Sequence, residues 1–421
     1  MNSKPIRVLL FSNGTVRAGI EEHMLQLLNG FDRRLITPYF ACTPQLAELI
    51  KSDIRPDVGV FPMSIDRLTD FGGMAKLARV LRQHDIQVLH SHAFRASLFA
   101  SPIGRLCRVP VVLETSHGRE VWRKGWIKSH FFVDRFAARF VDYVISVSSA
   151  TARYLVEEKG LPANKMVVIR GTANLKPFDP SRPAPEGLKQ SLGFSENDPV
   201  LLVLARLEPQ KGHRVLLEAM PLILQQHPNA RLVCVGDGAL RPELEGFVAA
   251  NGLASSVRFV GRQTDIGKWL ALADLTVLPS LWEGLPLAVI ESLAAGKPVV
   301  ATAVDGTPEV IVDGKTGFTV PAADPVRLAD AVNRTLHDPI RAREMAESGR
   351  EWVLREFDVQ KMVQSTQQLY LRALEQKSLG SEQAAKLPAM QSANMAVRSQ
   401  DLQTQETGVS AFTGEGHGRG S

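Results

Sequence analysis

The residues in this 421-residue chain best suited to chemistry are Glu283 and Glu291, separated by Gly-Leu-Pro-Leu-Ala-Val-Ile. An ionised carboxylate accepts two hydrogen bonds, which matches a vicinal diol. The apolar run 274–280 leads into them as a strand, and Pro286 suits the first turn of a helix, where its missing N–H costs nothing. Gly284 lets a ligand come close to the backbone, and the freed amides of the helix start suit an anion. Glu283 is then at the strand's end and Glu291 about a turn and a half into the helix. Glutamates also cap or pair locally, but the Gly-Leu-Pro turn between these two favours a ligand.

A second set is Arg206 and Lys211, between the apolar run 200–206 and the following helical stretch. Two cations at a strand end and a helix start can both face a diphosphate. A nucleoside diphosphate leaving group needs its developing charge offset by a metal or by Arg and Lys. The chain contains no Asp-x-Asp pair, so the cations are the expected route, with no metal and no other cofactor.

Histidines His90, His92 and His117 lie at the ends of two strand-like runs, and His117 precedes Gly118. Their spacing makes no metal-ligand set. Gly14 and Gly19 fall in the loop after the first run, and Gly236-Asp237-Gly238 ends another, but neither loop matches the dinucleotide pattern. Three scattered cysteines form no disulfide framework or zinc site.

Positioning these groups requires a regular scaffold. Hydrophobic residues make up 44% and charged residues 22%, the profile of a globular protein rather than a disordered or fibrous one. No apolar stretch is long enough to span a membrane, and the start reads as a strand rather than a signal peptide. The expected location is therefore the cytoplasm. The net charge of +5 is uneven: residues 1–186 carry +9 and the rest −4. A basic first half suits an anionic partner, although the charge is modest and no nucleic-acid motif accompanies it.

Strand-like runs at 6–11, 38–43, 58–62, 86–92, 110–115, 143–148 and 166–170 alternate with helical spacing, as at 21–28 and 74–82. The alternation predicts right-handed crossovers and a parallel sheet. Residues 171–199 hold five prolines and read as a linker. The pattern restarts at 200–206, 230–238, 257–261, 274–280, 297–302 and 317–321, with helical patterns over 324–336 and 339–377. The expectation is α/β, with two doubly wound parallel-sheet (Rossmann-like) domains facing across a cleft. The polar composition of 378–421 predicts a disordered tail. Residues 117–140 mix six aromatics with six Lys and Arg; membrane-surface contact is considered near Trp122–Trp126, and a sheet-covering helix is expected over 127–140.

Together these pieces resemble glycosyltransferase family 4, the retaining enzymes of the GT-B fold. The resemblance spans roughly 5–375 and is strongest where ARLEPQKGHRVLLEAM, LVCVGDG, VRFVG, SLWEGLPLAVIESLAAGKPVVAT and GTPEVIVDGKTGFTV occur in order. It implies an acceptor-side domain over 1–170, a linker over 171–199 and a nucleotide-sugar-binding domain over 200–357. A helix over 358–377 would cross back to the first domain. It further implies sugar transfer from a nucleotide-sugar donor to a glycan or lipid-linked acceptor, with retention and without a metal. Arg206 and Lys211 would hold the diphosphate, Glu291 the ribose, and Glu283 with the Gly284–Leu285 amides the donor sugar and phosphate. His117 matches the histidine near the transferred sugar, and Gly14 and Gly19 belong to the loop near phosphate and acceptor. The chain departs from the family's frequent Gly-Gly at Ala18-Gly19 and at Asp305-Gly306, and from its Asn-Gly linker start at Arg170-Gly171. An epimerase of the same architecture and a non-catalytic nucleotide-sugar-binding scaffold are the alternatives. Peripheral contact with an anionic membrane is a further expectation, and nucleic acid is not expected as a partner.

Overall fold

The computed structural model describes residues 4–65, 67, 69–119 and 131–379. The first half forms a seven-stranded parallel sheet from β1 (Ile6–Phe11), β2 (Ile36–Cys42), β3 (Gly59–Pro62), β4 (Val88–His92), β5 (Val111–Ser116), β6 (Tyr143–Ser146) and β7 (Met166–Val168), in the order β3-β2-β1-β4-β5-β6-β7. The second half repeats the plan with β8 (Val200–Leu204), β9 (Arg231–Val235), β10 (Val257–Gly261), β11 (Leu275–Leu278), β12 (Val299–Thr302) and β13 (Phe318–Val320). Their order is β10-β9-β8-β11-β12-β13, again parallel. In each sheet the order reverses beside the first strand, which leaves a crevice at the carboxyl ends of β1 and β4 and of β8 and β11.

The apolar runs become strands because both faces are covered. In β8, Leu201 and Val203 enter one core while Val200, Leu202 and Leu204 enter the core on the opposite face. In β1, Val8 and Leu10 alternate with Leu9 and Phe11 in the same way.

The helical pattern over 339–377 is two helices, Pro339–Glu356 and Val359–Ser378. Phe357 leaves helical geometry and is buried, and the Asp358 carboxylate accepts the Gln360 N–H at 2.8 Å, so the second helix starts on a new axis. That second helix joins the first sheet's core through Met362, Val363, Leu369 and Tyr370. Gly30 makes room for it, since a Cβ there would stand 2.8 Å from Val363 Cγ2. Three polar ties reinforce the docking. The Asp32 N–H donates to Gln367 Oε1 at 2.6 Å, Lys377 pairs with Asp142 at 2.8 Å, and Tyr370 OH lies 2.6 Å from His90 Nδ1.

One expectation needs correcting and another is met in part. The latter part of the supposed linker packs on the second sheet: Leu188–Ser191 is helical, and Phe194 is buried against β8 and β9 residues. Of the sheet-covering helix expected over 127–140, residues 127–130 lie outside the described residues; Phe131–Ala137 is α-helical and Ala138–Phe140 a 3-10 turn, with Asp134, Ala137 and Ala138 buried. Asp134 pairs with Lys159 at 3.2 Å, which turns Phe132 and Phe136 outward, 69% and 47% exposed. The aromatic residues Trp122–Trp126 and the tail from 380 onward lie outside the described residues.

The Tyr370 and His90 side chains are both fully buried. Tyr370→Phe should leave His90 Nδ1 without a partner and lower stability by about 1–3 kcal/mol, read as a drop in the urea midpoint. An unchanged midpoint would mean that this hydrogen bond does not help hold the last helix.

Candidate active site

The reversal between β8 and β11 brings together two loops more than sixty residues apart in sequence. Gly212, at φ +62°, is where they touch: a Cβ there would lie 1.9 Å from the Pro279 carbonyl oxygen. The Leu281 N–H donates to Gln210 O at 2.7 Å, and Gln210 Nε2 donates to Trp282 O at 3.0 Å. This close approach sets Lys211 against Glu283. Glu283 Oε1 accepts from Lys211 Nζ at 2.5 Å and from Ser280 Oγ at 2.6 Å, with Glu283 only 4% exposed. Lys211 therefore faces a carboxylate rather than standing open beside Arg206, which is exposed. Local pairing and a place in the cleft, posed above as alternatives for Glu283, hold together.

Pro286 is the N-cap, one residue earlier than expected, and the helix runs Leu287–Ala294. Glu291 is half-buried there. Desolvation, with a further push from the Glu22 carboxylate of the first lobe, raises its pKa to about 7. Leu285 is buried with its side chain turned toward the first lobe: it joins the cluster containing Val147, and Gly171 is small enough to sit against it.

On the first lobe, the loop after β1 wraps around Glu21. The Ala18 N–H donates to Glu21 Oε2 at 3.1 Å, and a Cβ at Gly14 would collide with Glu21 Oε1 at 2.2 Å. Burial lifts the Glu21 pKa to about 6, against a lowering contribution from Arg206 across the cleft. A Cβ at Gly19 would stand 3.1 Å from Leu287 Cδ1, so this loop meets the start of the second-lobe helix.

His117 belongs to a group of four histidines that sequence spacing did not unite. His92 Nδ1 is 3.2 Å from His117 Nε2, and His23 meets the His117 ring edge-on at 5.1 Å between centroids. The His90 ring lies tilted against that of His92 at 4.4 Å between centroids, and its Nε2 lies 2.7 Å from Thr115 Oγ1. Burial pulls His23 down to about 4 and His90 to about 3, and holds His92 and His117 well below the usual histidine range. The group is neutral at physiological pH, so the positive charge at the cleft comes from Arg and Lys.

The lobes meet backbone to backbone at this point. A Cβ on Gly284 would lie 2.0 Å from His117 O, and one on Gly118, at φ +130°, 2.8 Å from Gly284 Cα. Ser148 Oγ donates to Gly284 O at 2.9 Å, and Glu309 accepts the Ser149 and Ala150 N–H groups at 3.1 and 2.9 Å. Arg170, where the linker begins, is 3.9 Å from Glu309 and 3.5 Å from Glu356. Sequence reading missed Glu21, Arg119, Asp305 and Glu309 as residues near the cleft. Only the Asp305-Gly306 departure from Gly-Gly pointed to one of them.

Among the described residues no cluster of three or more His, Cys, Asp or Glu could hold a metal, and no helix is long and apolar enough to cross a membrane.

Two lobes of parallel sheet with charged groups at facing switch points define a two-lobed group-transfer scaffold, and comparison with known proteins agrees. Residues 17–175 match the family model Glycosyltransferase Family 4, and residues 186–352 match Glycosyl transferases group 1. The chain is 32% identical over 291 residues to the GDP-mannose-dependent alpha-(1-6)-phosphatidylinositol monomannoside mannosyltransferase of Mycobacterium tuberculosis (strain CDC 1551 / Oshkosh), covering 66% of this chain and 74% of the relative. It is 25% identical over 373 residues to the UDP-Gal:alpha-D-GlcNAc-diphosphoundecaprenol alpha-1,3-galactosyltransferase of Escherichia coli, covering 87% and 95%. The fold matches that of Anabaena HepE, solved in complex with UDP and glucose, with a TM-score of 0.75 at 21% identity, covering 86% of this chain and 99% of that one. The chain belongs to glycosyltransferase family 4 and is a glycosyltransferase of the GT-B fold.

The raised pKa of Glu291 has a pH signature. Unfolded, the group titrates near its ordinary value of 4.5 and folded near 7, so the folded chain holds the extra proton between these values. Its contribution to stability falls as pH rises through that window. Glu291→Gln should therefore gain stability relative to wild type between pH 5 and pH 8, measured by denaturant unfolding at each pH. A constant difference would contradict the burial of this carboxylate.

Proposed function

We propose that the chain transfers a sugar from a nucleotide-sugar donor to a lipid-linked or other glycan acceptor, with retention of anomeric configuration and without a metal. One observation carries this reading: Glu283 is buried and fixed by Lys211 and Ser280 at the β8/β11 switch point, directly against the His117–Gly118 backbone of the other lobe. A donor with its sugar between these residues would have its diphosphate near Arg206 and Lys211, whose charges offset the charge developing on the leaving group. Glu291 would accept from the ribose hydroxyls. The Gly284–Leu285 amides would reach the donor phosphate and sugar, with Gly14 and Gly19 in the loop that covers them. His117 and Glu283 would contact the transferred sugar. No protein base is assigned, because a leaving phosphate oxygen can take the acceptor proton on the same face.

The acceptor class is supported by two relatives whose names specify lipid-linked acceptors. It is also supported by the helix Phe131–Ala137, where Phe132 and Phe136 are exposed along with Arg135, and by Arg139, which lies 5.8 Å from the Phe136 ring centre. Apolar side chains among cations suit an anionic membrane surface.

The test is transfer from UDP- and GDP-sugars, with the product's anomeric configuration read by proton NMR. Transfer should persist in EDTA with the donor's configuration kept, and Arg206→Ala should lower kcat by about 10²–10³-fold. Binding to anionic vesicles should fall in a Phe132→Ser/Phe136→Ser variant. Inverted product, or activity abolished by EDTA and restored by a divalent cation, would overturn the corresponding part.

A further inference from the structure

Asp305 holds a backbone conformation that a residue with a β-carbon adopts at a cost. Its φ is +41°, one of few positive values at non-glycine positions among the described residues. Its side chain is 15% exposed, and both carboxylate oxygens are engaged. Oδ2 accepts the backbone N–H of Glu283 at 2.8 Å, and Oδ1 accepts from Arg119 Nε at 3.1 Å. Arg119 lies two residues beyond His117. On the first lobe it is anchored by Glu158, at 3.2 Å, and by the face of Tyr154, at 4.5 Å. The next residue, Gly306, presses on the same loop: a Cβ there would lie 2.1 Å from Gly284 O.

A strained conformation persists where its surroundings over-determine it, and here the surroundings are the two halves of the cleft. One carboxylate grips the backbone of Glu283 in the second lobe and the guanidinium that follows His117 in the first. We propose that Asp305 is a positioning residue: it sets the register of Glu283 against His117, and with Arg119 it couples that register to closure of the lobes. This rests on the reading of Glu283 and His117 as the site of transfer. Asp305 acts through the Glu283 backbone.

The substitutions separate strain from function. Asp305→Gly relieves the backbone but removes both bonds. Asp305→Asn tolerates the left-handed region and keeps an acceptor for the Glu283 N–H, but offers Arg119 no charge. The first readout needs no turnover: hydrogen exchange of the backbone over 279–287. Exchange at Glu283 should speed up by about tenfold or more in Asp305→Gly and stay protected in Asp305→Asn. The second is steady-state transfer with the nucleotide-sugar that the wild type uses. Asp305→Gly should lower kcat by about 10²-fold with KM for the donor little changed, while its melting temperature shifts only slightly, because relief of the strained backbone offsets part of the loss of the two bonds. Asp305→Asn should recover most of the rate, and Arg119→Gln should fall between them.

Unchanged exchange at Glu283, wild-type kcat in Asp305→Gly, or a rate loss that tracks a lower melting temperature without rescue by Asn would each overturn the proposal. A wild type inert toward every nucleotide-sugar, with exchange altered as expected, would instead overturn the reading of the transfer site and with it any positioning role in transfer, leaving Asp305 as a structural tie.

Discussion

The arrangement depends on a contact between bare backbones. Gly118 on one lobe and Gly284 on the other approach so closely that a Cβ on either would overlap a main-chain atom across the gap, and Gly306 packs on the Gly284 carbonyl from within the second lobe. With no side chains between them, the carboxyl ends of the two sheets meet at His117 and Glu283. Interlobe polar bonds then fix the approach: Ser148 to Gly284, Glu309 to the Ser149 and Ala150 amides, and Arg119 to Asp305. Leu285 adds an apolar contact toward Val147. The last helix, returning to the first sheet's core, ties the lobes together a second time, behind the cleft.

Charge at the cleft follows from burial. Four histidines crowd the first-lobe rim, but desolvation keeps them neutral, so they contribute shape and hydrogen bonds rather than positive potential. Carboxylates from both lobes converge as well, and the Glu22 carboxylate adds to the burial that raises the Glu291 pKa. Against these stand Arg206, exposed, and Lys211, engaged with Glu283.

Much of the scaffold was legible because parallel strands buried on both faces are continuous apolar runs, as in Val200–Leu204 and Ile6–Phe11. The Glu283–Glu291 spacing likewise placed one carboxylate on a loop and the other on a helix. Juxtapositions created by topology were hidden. Lys211 meets Glu283 only because β8 and β11 are neighbours, and the histidines meet only because His23 starts from a helix while the others end β4 and β5. The break at Phe357 is invisible to periodicity, since both flanking helices carry compatible patterns. At Phe131–Ala137 the inward face is taken by Asp134, paired with Lys159, rather than by the aromatic residues, which the mixed composition of the segment does not reveal. Asp305 could be noticed in sequence only as a residue where glycine would be easier.

The most direct test of this account is the Gly118→Ala variant, assayed for nucleoside diphosphate affinity and for sugar transfer in the same preparation. Gly118 belongs to the first lobe, so the account predicts a dissociation constant within about threefold of wild type and a transfer rate about 10²-fold lower, because the added methyl holds the lobes apart. A transfer rate within about twofold of wild type would contradict it, since the glycine contact would then not govern how His117 and Glu283 are brought together.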